Sequence, residues 1–208
     1  MSYYKTFDDT LLPNGTLKNK LGITNEKDLA KREYVEVALH EVEFLKKKKK
    51  ITSINDLYRI NKILFSTVYS WAGKERNYPL RKGNHDFMDF RSFDQAEIYI
   101  NKLLKSDNQK DELSSLDYAK LLDSINDMHP FREGNGRSTR TFLQCLAANH
   151  EQVVDYPRHN DQLIKAQNSA NVKKEAQLIS LQNTPTRETA FKELLAMRKG
   201  KIKRDKFN

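Results

Sequence analysis

The stretch from Met128 to Arg140, MHPFREGNGRSTR, decides how this chain is read. His129 precedes Pro130, and a residue before proline is pushed away from helical geometry. The helix predicted from about Ser115 therefore stops at His129 and presents the imidazole at a loop edge. Phe131 is placed to anchor that loop in the core. Gly134-Asn135-Gly136 gives a backbone able to aim several N–H groups at one point, an anion nest. The nest opens a helix carrying Arg137 and Arg140, three apart and so on one side of its first turn. A helix N-terminus favours phosphate, and guanidinium groups match phosphate oxygens bidentately. Glu133 stands just before the nest, where a carboxylate suits Mg²⁺ on bridging phosphate oxygens. His129 lies beside it, with a side chain suited to taking a proton near neutral pH. Each element alone is commonly structural. Together, in this order, they describe a nucleoside-triphosphate site with a base next to it. The Lys-Ser/Thr pair of a Walker A loop is absent.

Outward from this segment the chain reads as helices. Residues 1–25 are irregular, with a turn at Pro13-Asn14-Gly15. Leu29, Val35, Leu39, Val42 and Leu45 predict one buried stripe on a helix from Asn25 to about Lys50. Thr52 or Ser53 caps the next helix, in which Leu57, Ile60, Leu64 and Val68 keep the period until Trp71-Ala72-Gly73. Arg76 to Phe90 breaks the pattern. Pro79 and the Gly83-Asn84 turn signal predict a short exposed β-hairpin, a flap. Helices follow over Phe93–Leu104 (Ala96, Ile100, Leu103 and Leu104 inward) and Ser115–His129 (Leu116, Ala119, Leu122 and Ile125 inward). Ser138–Asn149 is apolar enough to be central and buried, and two or three further helices precede a basic tail. The expected class is all-α with one β-hairpin flap. Residues 1–185 form the domain, and 186–208 a C-terminal helix and tail.

Composition agrees and excludes other classes. A chain of 208 residues with 38% hydrophobic and 31% charged content fits one globular domain with a real core. Seven glycines and five prolines disfavour a turn-rich all-β fold. No apolar run approaches the roughly 18–20 residues of a membrane span. Met1-Ser2-Tyr3-Tyr4 leads into polar sequence with no visible leader, and a lone Cys145 makes no internal disulfide. These predict a cytoplasmic protein, with export by a leaderless route left open. A net charge of +9 favours anionic partners. Lys46–Lys50 reads as a solvated helix end, and Lys199–Lys206 as a frayed tail.

His129-Pro-Phe-Arg-Glu-Gly-Asn-Gly-Arg-Ser-Thr-Arg140 resembles the Fic family motif, HPFx(D/E)GNGRxxR, at every defined position. "LKNKLGI" (Leu17–Ile23) and "VYSWAGKER" (Val68–Arg76) resemble segments before the Fic core and its flap, so the likeness covers roughly residues 15–185. The resemblance implies a Fic-fold helical bundle and transfer of AMP from ATP to a Ser, Thr or Tyr hydroxyl of a target protein. It implies His129 as the base and Glu133 as the Mg²⁺ ligand. It implies Phe131, Gly134, Asn135, Gly136, Arg137 and Arg140 as the nucleotide set, with Arg140 on the γ-phosphate. The flap residues Arg81, Lys82, Asp86, Phe87 and Met88 would pair with an extended stretch of the target by strand addition. In the family's kinase-like branch a lysine replaces the motif's second glycine. Gly136 keeps the nest open and so favours AMP transfer.

Family enzymes are commonly inhibited by a helix carrying (S/T)xxxE(G/N), whose glutamate meets the motif's second arginine. The nearest match here, Thr184-Pro-Thr-Arg-Glu188-Thr189, fails at its last position. The expectation is a toxin held by a separate small antitoxin that carries the helix. Alternatives are a self-inhibited enzyme, a variant moving phosphate or another nucleotide, and a basic helical nucleic-acid binder. The clustering of both arginines beside a histidine and an acid disfavours nucleic acid as the partner.

Overall fold

A computed structural model describes residues 5–83, 85–157 and 160–206, the last six of these as backbone only. Asn84 and the N-terminal Met1–Tyr4 lie outside the described residues. Among the described residues the chain forms eight α-helices and two small antiparallel sheets. The helices are α1 (Glu26–Lys46), α2 (Asn55–Phe65), α3 (Phe93–Asp107), α4 (Ser115–Met128), α5 (Asn135–Asn149), α6 (Asp161–Asn168), α7 (Val172–Leu178) and α8 (Arg187–Lys206). The expected flap is β1 (Arg81–Lys82) with β2 (His85–Asp86), in register Arg81 to Asp86.

The second sheet departs from the all-α expectation. β3 (Gln152–Asp155) pairs with β4 (Ser180–Asn183) across two intervening helices. Four-residue strands so far apart leave no hairpin signal, and only the β-branched pair Val153-Val154 hints at one. This sheet packs against α5 and sets the position of Asp155.

Helix α5 is the central element, with Phe142, Leu143, Cys145, Leu146, Ala147 and Ala148 wholly buried. It lies against α2, α4, α8 and β3. Its start at Asn135 is three residues earlier than read from the sequence. Helix α4 opens with a capping box, in which Ser114 and Asp117 satisfy each other's backbone N–H. The inward face of α1 also differs. Val35 and Leu39 are exposed, and the buried stripe runs through Leu29, Glu33, Val37, Glu41 and Phe44. Two glutamates occupy it because each has a cationic partner inside, Arg137 for Glu33 and Arg198 for Glu41. Leu116 likewise faces solvent. Helix α2 stops at Phe65, and the amides of Val68 and Tyr69 turn back to the Phe65 carbonyl, so Val68 is buried from a turn. Helix α8 packs on α1 and α5 with Ala190, Phe191 and Leu194 buried. Among the described residues no helix is long and apolar enough to cross a membrane.

Candidate functional site

A cavity of about 1050 Å³ opens over the start of α5, and His129, Glu133, Gly134, Asn135, Gly136, Arg137 and Arg140 line it. At the first of these the chain leaves the helix just before Pro130, though not into the extended backbone that a residue before proline favours. α4 ends at Met128, and His129 takes a left-handed backbone (φ 43°) as its C-cap. Its N–H still reaches the Ile125 carbonyl at 3.1 Å. The ring Nδ1 lies 3.2 Å from the Asn126 carbonyl. A carbonyl only accepts, so Nδ1 carries the hydrogen and Nε2 keeps the lone pair.

The Phe87 ring lies nearly parallel to the imidazole, 3.7 Å between centroids. Burial pushes His129 down to about 3, and Arg76, Lys82 and His85 push the same way against the pull of the Asn126 carbonyl. The near-neutral value expected from the sequence is therefore displaced downward. The physical causes are a ring that excludes water and three basic neighbours. The imidazole is a neutral acceptor throughout the physiological range.

The nest is built as two distinct glycines. Gly134 has φ +84°, and a Cβ there would come within 2.3 Å of Phe65 Cε2. Gly136 is different, since a Cβ there would meet nothing within 4 Å. No neighbouring protein atom requires glycine at 136. Its bareness leaves cavity space in front of the first turn of α5, where helix N–H groups lack intrahelical partners. Arg137 sits in that first turn and Arg140 one turn further along the same face; a cation so near the N-terminus opposes the helix dipole. Such a placement disfavours the isolated helix and suits an anion in front of it.

Each arginine has a carboxylate. Arg137 bonds Glu33 of α1 and, at 3.2 Å, Glu133, and its guanidinium stacks 4.6 Å over Phe65. Tyr69 donates to the other oxygen of Glu33. Arg140 pairs with Asp155 of β3, donates to the Tyr156 carbonyl at 3.2 Å and lies over the Tyr156 ring. Glu133 also accepts from the Gly134 N–H at 2.9 Å.

Two members of the expected nucleotide set have other side-chain roles. Phe131 is wholly buried and edge-on to Tyr58 at 5.3 Å, so it anchors the loop in the core and does not line the cavity. The Asn135 amide is spent on Phe131, accepting from its N–H at 2.9 Å and donating to its carbonyl at 2.8 Å. Its side chain shapes the nest from behind, because a planar amide four residues on matches both backbone groups.

The flap divides similarly. Arg81, Lys82 and Phe87 line the cavity. Asp86 forms a 2.9 Å ion pair with Arg81. The Met88 N–H is already committed to the Asp127 carbonyl at 2.9 Å. Met88 is thus an anchor of the flap and has no backbone donor for strand addition.

Sequence reasoning missed Glu33, Asn61 and Asp155. Glu33 had a signal, a charge on the four-residue spacing of an apolar stripe. Asn61 had one only in part, as a polar residue inside α2. It donates to the Glu133 carbonyl (3.2 Å) and Ser138 Oγ (3.0 Å) and accepts from the Gly73 N–H (2.7 Å). The near-match helix is also placed. Glu188 pairs with Lys48, at the end of α1, and not with Arg140.

A profile of the Fic/DOC family matches residues 51–147. The chain is 30% identical over 161 residues to the probable protein adenylyltransferase y4lH of Sinorhizobium fredii, covering 70% of this chain and 79% of that protein. It is 32% identical over 155 residues to the protein adenylyltransferase VbhT of Bartonella schoenbuchensis, covering 69% of this chain. It spans only 31% of the length of VbhT. Its fold is similar to that of the BepC protein of Bartonella tribocorum, solved with bound AMPPNP. The TM-score is 0.73 at 22% identity, over 85% of this chain and 98% of that one.

Proposed function

This chain belongs to the Fic/DOC family, and on that premise we propose that it is a protein adenylyltransferase, moving AMP from ATP to a Ser, Thr or Tyr hydroxyl of a target protein. One observation carries the reading. The unprotonated Nε2 of a neutral His129 shares a cavity with a helix N-terminus whose first two turns hold two arginines and a bare Gly136. A target hydroxyl would lose its proton to Nε2 while its oxygen attacks the α-phosphorus. The bond from that phosphorus to the pyrophosphate oxygen breaks, and the proton rests on His129. The nest and Arg137 would hold the phosphates, and Arg140 would exchange Asp155 for the terminal phosphate. The names of the relatives, and the nucleotide bound to BepC, support ATP as the donor.

Glu133 is the residue that would hold Mg²⁺. Among the described residues no three metal-ligating side chains gather into a cage, and Mg²⁺ held by one carboxylate and phosphate oxygens needs none. When bound, the ion would neutralise charge on the phosphates. The protein's own contribution is placement, since Glu133 is oriented by the Gly134 N–H and Arg137.

The flap is proposed to receive an extended segment of the target by strand addition. A separate antitoxin helix is proposed as the inhibitor, acting in the cytoplasm. Supporting this, the chain's own near-match glutamate is spent on Lys48. The test is transfer of label to proteins of a cell lysate from α-³²P-ATP and, in parallel, from γ-³²P-ATP. Adenylylation labels from the first alone and requires His129. Label from the second alone would replace AMP transfer by phosphate transfer.

A further inference from the structure

Arg76 is 3% exposed, and all its hydrogen bonds among the described residues run to backbone. Nε donates to the His129 carbonyl at 2.9 Å and Nη1 to the Tyr78 carbonyl at 2.8 Å. Nη2 donates to Met88 at 2.6 Å and Met128 at 3.2 Å. The Arg76 N–H adds a bond to the Pro130 carbonyl at 2.8 Å, and the guanidinium lies 4.8 Å over the Phe93 ring. A buried cation usually has a carboxylate partner. This one is held by carbonyls from three places that matter to the site. Tyr78 leads into β1, Met88 follows β2, and Met128 to Pro130 is the bend that presents the imidazole.

We propose that Arg76 is a positioning residue, a latch by which one rigid guanidinium sets the flap and the His129 loop relative to each other. The planar fork supports this role, since five donors in fixed directions can hold several acceptors in one geometry. The Met88 N–H to the Asp127 carbonyl and the Phe87 N–H to the Leu80 carbonyl (3.1 Å) complete the hinge that places Phe87 over the imidazole. The latch thus couples where a target strand lies to where its hydroxyl meets Nε2. The catalytic part of this inference rests on the adenylyltransferase reading, whereas the mechanical part does not.

The test uses the full chain with Arg76→Met, which keeps length and loses every donor, and Arg76→Lys, which keeps the charge. Three quantities are read: ATP affinity without target, kcat for AMP transfer, and backbone amide exchange. In Arg76→Met, ATP affinity should hold within about threefold because the nest is untouched. kcat should fall on the order of 10²-fold, the cost of misplaced reacting groups. The Phe87 and Met88 amides should exchange at least about tenfold faster, with Leu143 in α5 unchanged. Arg76→Lys should recover part of both losses, because a point-like ammonium reaches some but not all of the carbonyls. If Arg76→Met fails to fold, Arg76→Lys against wild type carries the comparison, with the same pattern at smaller size. Unchanged flap exchange in a folded variant would overturn the latch, as would joint loss of ATP binding, α5 protection and transfer in both variants. A wild-type chain that transfers no AMP would sink the adenylyltransferase reading, while amide exchange would still decide the latch.

Discussion

The two glycines of the nest should respond oppositely to the same added methyl group. At Gly134 an alanine must hold φ near +84°, and its Cβ would sit 2.3 Å from Phe65 Cε2, a ring that is wholly buried and cannot swing aside. The left-handed backbone costs about 1–2 kcal/mol and overpacking about 1–3 kcal/mol. For a chain of this size a loss of about 2–5 kcal/mol lowers Tm by roughly 5–15 °C. Displacing Phe65 also disturbs Arg137, stacked 4.6 Å above it. At Gly136 no atom beyond the adjacent residues and its own helix backbone lies within 4 Å of the new Cβ, and the residue is already helical. Alanine is the better helix former, so Gly136→Ala should be neutral or more stable by up to about 0.5 kcal/mol. Its methyl would stand where a phosphate oxygen approaches, at a cost of about one hydrogen bond, roughly 1–1.5 kcal/mol, or about tenfold in ATP affinity. The assay pairs thermal unfolding with ATP titration on both variants. A Gly136→Ala chain that binds ATP as well as wild type would refute the nest. Equal loss of stability in both variants would refute the division of roles between the glycines.

His129→Ala should lower AMP transfer on the order of 10²-fold or more while ATP binding holds; transfer within a few-fold of wild type would remove His129 as the base. Because its pKa is held far below the usual value, only the neutral form exists from pH 5 to 8, and the His129 ring protons should not titrate there by NMR. A midpoint near 6.5 would contradict the Phe87 stack. Buried Glu175 is raised to about 9 beside Asp123, so between pH 4.5 and 9 the folded chain holds a proton the unfolded chain has lost. The stability this group contributes is full below pH 4.5 and disappears as pH climbs towards 9. Glu175→Gln should flatten the fall of Tm with pH, and parallel Tm profiles would count against it. Arg140→Ala should cut transfer by up to roughly 10²-fold with ATP still bound, whereas Glu188→Gly should leave activity unchanged. A severalfold rise would make α8 the inhibitor.

Much of this protein is determined within short segments. Pro130 ends α4 at the imidazole, Gly134 permits the turn, and Ser114 with Asp117 starts α4, because caps, glycines and prolines act over a few residues of covalent chain. The flap and the line-up of the proposed site residues follow from that local grammar. What pairs with what does not. Glu33 reaches Arg137 and Asp155 reaches Arg140 because α1 and β3 pack beside α5. β3 pairs with β4 across α6 and α7, which separate them in the chain. Phe87 covers His129, and with it sets the pKa, because Arg76 gathers carbonyls from both sides of the site. Burial and long-range contact are properties of the packed chain, so the tertiary structure alone decided which charges meet and how wet the base is.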